Sequence, residues 1–158
     1  MKGLHFLVMK TIASNRKAHH EYNILETLEA GIVLTGHEAK SAKDGRMSLS
    51  GGRVFIKDEE AFIAGVEIAS FQPKNAPSDY DSARAKKLLL SEREISYLLG
   101  KITHSSLTVI PIRAYIKKDL VKIGIALVER KKKRDKREDL KKRDIQRDVE
   151  RQFRKRID

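Results

Sequence analysis

LTVIPIRAYIKKDLVKIGIALV, residues 107–128, holds two runs rich in β-branched and aromatic residues around Lys118-Asp119. Valine, isoleucine and tyrosine suit a pleated, half-buried surface. Two such runs about a short polar joint read as a β-hairpin. The signature recurs upstream. RVFIK (53–57) and AFIAGVEI (61–68) flank Asp58-Glu59 as a second hairpin-like pair, and YNILET (22–27) and AGIVLT (30–35) add two β-rich runs separated by a brief polar joint.

Helical signals fall between the strands. GHEAKSAKDG (36–45) sets helix formers between two glycines. SEREISYLLG (91–100) carries a capping box in Ser91 and Glu94, an inner face of Ile95, Leu98 and Leu99, and Gly100 as its expected end. SFQPKNAPSDYDS (70–82) holds two of the three prolines and reads as a long surface loop. About six short strands with inserted helices predict a mainly β fold: a small closed or nearly closed barrel of the OB-like type, whose face and loops commonly meet oligonucleotides.

Charge divides the chain unevenly. Of the net +12, residues 130–158 supply +8, from fifteen Lys or Arg against seven Asp or Glu. That concentration points to a polyanionic partner, nucleic acid or an anionic membrane surface. At about 100° per residue, Ile145, Val149, Phe153 and Ile157 share one narrow edge of a helix, with Leu140 well off it. Arg143, Arg147, Arg151, Arg154 and Lys155 share an arc nearly opposite. Acid-before-base pairs, Glu138 with Lys142, Asp139 with Arg143 and Glu150 with Arg154, each add only ~0.2–0.5 kcal/mol. The expectation is a tail disordered alone and helical on a polyanion. An interfacial membrane helix is a poorer fit, since the apolar edge holds one aromatic, Phe153, and no tryptophan.

Other classes find little support. Cysteine is absent, which excludes disulfides and thiolate metal sites. The apolar run at 4–9 is broken by His5 and closed by Lys10, short of an export signal, and no stretch approaches the ~20 apolar residues of a membrane span. The expectation is a soluble, cytoplasmic chain. The five histidines form no H-E-x-x-H pair, Gly51-Gly52 belongs to no phosphate-loop pattern, and no local signature of catalysis stands out.

NRKAHHEY (15–22), EAGIVLTGHEAKSAKDG (29–45), RAKKLLL (84–90) and DKR (135–137) occur in this order. Together they resemble the SmpB family, the SsrA-binding proteins of bacteria, from about Asn15 to the end of the chain. The resemblance implies a six-stranded OB-like barrel with inserted short helices over 15–129, after an extension at 1–14. A basic C-terminal tail, disordered or helical, would follow over 130–158. It implies RNA binding without catalysis, cofactor or metal, by a monomer. The partner would be the tRNA-like domain of transfer-messenger RNA (SsrA RNA), carried to stalled ribosomes for trans-translation. Alanyl-tRNA synthetase and elongation factor Tu would act on the same RNA.

Carried over by position, the RNA-facing residues would be Asn15, His20, Tyr22, Glu29, Lys122 and the basic pair Lys86-Lys87. Tyr22 and His20 can stack on unpaired bases and lysines neutralise phosphates. Glu29 would accept from a base amino group, a 2′-OH or a neighbouring arginine. Arg53 stands where the family usually has an aromatic, so a phosphate contact or a guanidinium stack is expected there. Leu89 matches a family position tied to RNA, although burial within a short helix is the expectation from the residues. Asp135, Lys136 and Arg137 match the motif that acts at the ribosomal decoding centre. Arg143, Arg147, Arg151, Phe153 and Arg154 would then lie along the empty mRNA channel against small-subunit rRNA.

Overall fold

The computed structural model describes residues 9–72, 74 and 76–157, with side chains through Lys155. Residues 1–8, and with them most of the apolar run weighed as an export signal, lie outside the described residues. So does the side chain of Ile157. Chain order gives β1 (Lys10–Ser14), α1 (Arg16–Glu21), β2 (Tyr22–Ile32), α2 (Gly36–Lys43), β3 (Met47–Ser48), β4 (Arg53–Lys57) and β5 (Glu60–Ala64). Then come β6 (Glu67–Ile68), β7 (Lys86–Leu89), α3 (Glu92–His104), β8 (Leu107–Lys117), β9 (Leu120–Arg130) and α4 (Lys133–Ile157).

Six strands close a ring in the order β8-β4-β5-β7-β2-β9, with β9 returning to β8. This is the expected barrel, and every pairing in it is antiparallel. Strand β4 closes on β8 at Val54 opposite Val109. Residues 10–14, expected within an extension, form β1, which pairs with β8 at Arg113–Ile116, further along that strand than the β4 contact at Val109. YNILET and AGIVLT are not two strands. They form one, β2, because Leu28 and Glu29 keep regular register with Ile125 and Gly124 of β9 straight through the joint, while a bulge lies earlier, between Ile24 and Glu26.

The pleat decides what is inside. Val121, Ile123, Ile125 and Leu127 on β9 point into the core beside Ala30, Ile63 and Leu88. Each fully buried Ile or Leu contributes roughly 1.5–3 kcal/mol. Asp58-Glu59 and Lys118-Asp119 turn the two hairpins with all four residues at positive φ, between 50° and 64°. That is the twist a two-residue hairpin needs, here without the usual glycine. Gly65 is obligatory in another way: at φ +77°, a Cβ there would stand 2.4 Å from the Gly51 carbonyl oxygen.

Helix α3 plugs the barrel with Leu98, while Leu99, expected inside, is exposed. The capping box of Ser91 and Glu94 starts it as expected, but Gly100 does not end it. The helix runs on to His104, and Ile102 packs against the core one turn later. The long loop is stitched down by polar contacts. Arg84 pairs with buried Glu38, Tyr80 Oη donates to the Ile68 carbonyl at 2.6 Å, and Phe71 N–H donates to His37 Nε2 at 3.1 Å.

Helix α4 leaves the end of β9 and carries the tail as 25 residues of helix. Side chains from Lys141 to Lys155 are all exposed, including Ile145, Val149 and Phe153.

Candidate RNA interface

One outer face of the barrel carries the site. Helix α1 lies across it, held at its start by Asn15. The Asn15 N–H donates to the Ile112 carbonyl and Nδ2 to the Pro111 carbonyl, both at 2.9 Å. Ala18 seals the underside against Ile110, Ala126 and Val128, with Tyr22 and Ile24 packed around that patch.

Beside α1 opens a cleft of about 610 Å³, walled by Ser14, Asn15, Arg16 and His19 on one side and by Thr27, Glu29, Arg113 and Tyr115 on the other. Gly124 also lines it. Across the three strands beneath, Glu29 of β2 stands opposite Gly124 of β9, and Gly124 opposite Arg113 of β8. The missing side chain at Gly124 is what leaves the depression open. Tyr115, almost fully buried, donates its hydroxyl to the Glu29 carboxylate. Lys117 Nζ reaches the same carboxylate at 3.2 Å. The Arg113 guanidinium lies 4.8 Å from the centre of the Tyr115 ring, within cation–π range.

These contacts set the protonation. The Tyr115 hydrogen bond, then Lys117 and Lys122, hold the Glu29 carboxyl below its ordinary range against a modest cost of burial. Burial and the adjacent carboxylate push the Tyr115 phenol well above its usual range, so it stays a donor. The result is a cleft lined by Arg16 and Arg113, with one anchored carboxylate that Lys117 and Lys122 flank. Cations of this kind meet phosphates, and the carboxylate can still accept from a base amino group or a 2′-OH.

A smaller pocket of about 170 Å³ on the other side of α1 is lined by Lys17, Tyr22, Gly51, Gly52 and Arg53. Beyond Lys122, exposed Leu89 and Leu120 edge an apolar notch over Gly31.

A family model for SmpB protein matches residues 12–155. The chain belongs to the SmpB family. It is 43% identical to an SsrA-binding protein of Sulfurihydrogenibium sp., over 94% of this chain and 97% of that one. It is 44% identical to an SsrA-binding protein of Persephonella marina, again over 94% and 97%. A solved structure described as "tmRNA-SmpB: a journey to the center of the bacterial ribosome" superposes with a TM-score of 0.64 at 36% identity, covering 77% of this chain and 85% of that one.

Against this SmpB fold, the expected residues divide into groups. Asn15, Glu29 and Lys122 share the α1 face, and Tyr22 and Arg53 meet at the smaller pocket. Asn15 is buried and its Nδ2 donates to the scaffold at the Pro111 carbonyl, so it shapes the face. His20 is half-buried, with Nδ1 enclosed. Of the partners expected for Glu29, a base amino group, a 2′-OH or a neighbouring arginine, the described residues supply none at its carboxylate; Tyr115 and Lys117 hold it.

Lys86 is a correction. It is fully buried, and Nζ donates to the carbonyls of Val66 at 3.0 Å and Arg84 at 2.8 Å, so it cannot reach a phosphate. Burial holds its pKa below the ordinary lysine value, partly offset by Glu38. Lys87 faces out and pairs with Glu60 at 3.1 Å. Leu89 is a second correction: it is a strand residue, 55% exposed, rather than a buried helical one.

The sequence reading missed Arg113, Tyr115 and Lys117. The usable signal was the alternation R-A-Y-I-K at 113–117, with Ala114 turned into the core and Arg113 and Tyr115 on the cleft side of the sheet.

In the tail, Asp135 and Arg137 are exposed on the opening turns of α4 and Lys136 is half-buried. Arg143, Arg147, Arg151, Phe153 and Arg154 all stand exposed further along. Asp139, expected to pair with Arg143, binds Lys131 instead. Among the described residues, no helix is long and apolar enough to cross a membrane.

Proposed function

We infer that this chain binds SsrA RNA, the transfer-messenger RNA, and brings it to stalled ribosomes for trans-translation. The observation that carries the reading is the match to SsrA-binding proteins over 94% of the chain, barrel and tail together. The barrel and the tail divide the work. The α1 cleft and its cations suit the backbone and unpaired bases of a tRNA-like domain. The notch edged by Leu89 and Lys122 extends that face. Lys87, Tyr22 and Arg53 lie around its margins, and Lys86 serves the fold.

The tail suits a different surface. Asp135, Lys136 and Arg137 sit just past the barrel, where a short tether can deliver them to a fixed point such as the decoding centre. The exposed arginines beyond them form a rod suited to the phosphate walls of an empty mRNA channel. Binding, positioning and charge account for this role, and the proposed mechanism contains no bond-making step.

Sequencing the RNA that copurifies with the chain tests the partner. Truncation after Glu129 tests the division: affinity for the tRNA-like domain should persist while tagging of stalled nascent chains is lost. Loss of RNA binding on truncation would overturn the division, and copurification of unrelated RNA would overturn the function.

A further inference from the structure

Lys131 joins the root of the tail helix to the barrel. Lys131 follows the last ladder residue of β9, and its N–H donates to the Glu21 carbonyl at 2.9 Å. Its side chain is only 10% exposed. Nζ donates to the His19 carbonyl at 2.9 Å and also binds the Asp139 carboxylate. Three elements converge on this residue: the end of α1, the end of β9 and the second turn of α4.

We propose that Lys131 is a positioning residue that fixes the direction of the tail helix relative to the RNA cleft, with α1 as the shared piece. Helix α1 is itself immobilised, by the two Asn15 hydrogen bonds at its start and by buried Ala18 beneath. The His19 side chain lines the cleft, while the His19 carbonyl holds Lys131. One short helix therefore touches the proposed RNA site on one side and the root of the tail on the other.

The energetics favour a closed clamp. An ammonium this enclosed must find acceptors, and its loss would leave a helix-terminal carbonyl and a carboxylate without their partner. Asp139 cannot drift while it is held, so Asp135, Lys136 and Arg137, between the two anchors, are held with it. From Lys141 onward every described side chain is exposed, so burial gives the helix no second point of fixation.

This inference rests on the proposed function only for what the direction serves, since the clamp can be read without RNA. The chain lacks cysteine, so Lys57→Cys and Lys141→Cys place two spin labels, one on the barrel and one past the clamp. Both sites are exposed. In the full-length protein free of RNA, the interlabel distance distribution should be a single narrow peak. Asp139→Ala should broaden it without loss of helix, because alanine is the better helix former. Asp139→Glu should restore it, and Lys131→Ala should broaden it as well.

In reconstituted tagging, Asp139→Ala and Lys131→Ala should lower the rate at least about tenfold, as misplacement of a positioned group does. Affinity for the tRNA-like domain should stay at the parent value, and Asp139→Glu should recover tagging. A distribution as narrow in Asp139→Ala as in the parent overturns the clamp. Broadening with parental tagging overturns its role in positioning. Failure of the parent itself to bind the RNA would overturn the proposed function, while the label distances would still decide the clamp.

Discussion

The Tyr115 hydroxyl donates to the Glu29 carboxylate across strand β9, at the level of a glycine, Gly124. A side-chain Cβ at Gly124 would lie 3.9 Å from the Tyr115 ring. The pair thus joins β2 and β8 across β9, with the backbone of Gly124 between them.

Tyr115→Phe removes the donor and keeps the ring. A hydrogen bond to a charged group is worth roughly 1.5–3 kcal/mol, but Glu29 is partly solvated and screened, so about 1 kcal/mol is expected. The pH dependence follows from the sign of the shift. The folded carboxyl is depressed below its ordinary value of 4.5. Its contribution is complete above the unfolded value and is lost as pH falls through the depressed one. Urea unfolding should show the variant less stable at neutral pH, with the gap closing in acid. A gap that persists in acid would show that the Tyr115 hydroxyl acts independently of the Glu29 charge.

Lys86 and Lys87 should separate cleanly. Lys86→Met strands the Val66 and Arg84 carbonyls and removes a counter-charge of Glu38, a loss of roughly 1–3 kcal/mol. Lys87→Met breaks a surface pair worth ~0–1 kcal/mol. Thermal unfolding should rank them in that order. RNA affinity, measured where both are folded, should fall only for Lys87→Met. An affinity loss confined to Lys86→Met would reverse the assignment.

That pair also shows where sequence reading stopped. RAKKLLL presents two adjacent lysines and a leucine run, and its length and composition allow a helix turn as readily as a strand. Only pairing with β5 and β2 fixes it as β7, and the pleat then sends Lys86 inward and Leu89 outward. The hairpins were legible because their turns are short and their flanks β-rich, and the Ser91 capping box because its signal is local. The extent of α3 was not, since the helix continues past Gly100 and brings Ile102 against the core. The cleft was hidden for a similar reason: Glu29, Gly124, Arg113 and Tyr115 become neighbours only through the β2-β9-β8 order.

The Asp58-Glu59 turn holds two non-glycine residues at φ 50° and 63°. Left-handed backbone costs such residues roughly 1–2 kcal/mol each, and Asn-Gly is the preferred pair for this turn. Replacing Asp58-Glu59 by Asn-Gly should gain about 1 kcal/mol after the entropic cost of glycine, a rise of a few degrees in Tm. An unchanged or lower Tm would mean that the present turn carries little strain.

Helix α4 tests how much of its order is intrinsic. Among its described residues the exposed length carries weak pairs, Arg134 with Glu138 at 3.8 Å and Asp148 with Arg151 at 4.0 Å. A helix of this length without packing is marginal in water. Amide exchange in the free protein should therefore be slow near the Lys131–Asp139 clamp and fast beyond Leu140, and should slow along the helix once the protein is on a ribosome. Val149→Pro costs ~3 kcal/mol in a helix interior and should cut tagging sharply, with RNA affinity at the parent value. Arg147→Lys keeps both charge and helix and should be nearly silent. The three measurements separate two mechanisms. A flexible polycation would tolerate the proline as well as the lysine, because only its charge is read. A rod must keep its axis, so the proline variant should fail even though every cation remains. If the proline variant tags at the parental rate, the helical rod is wrong and the tail works by charge alone.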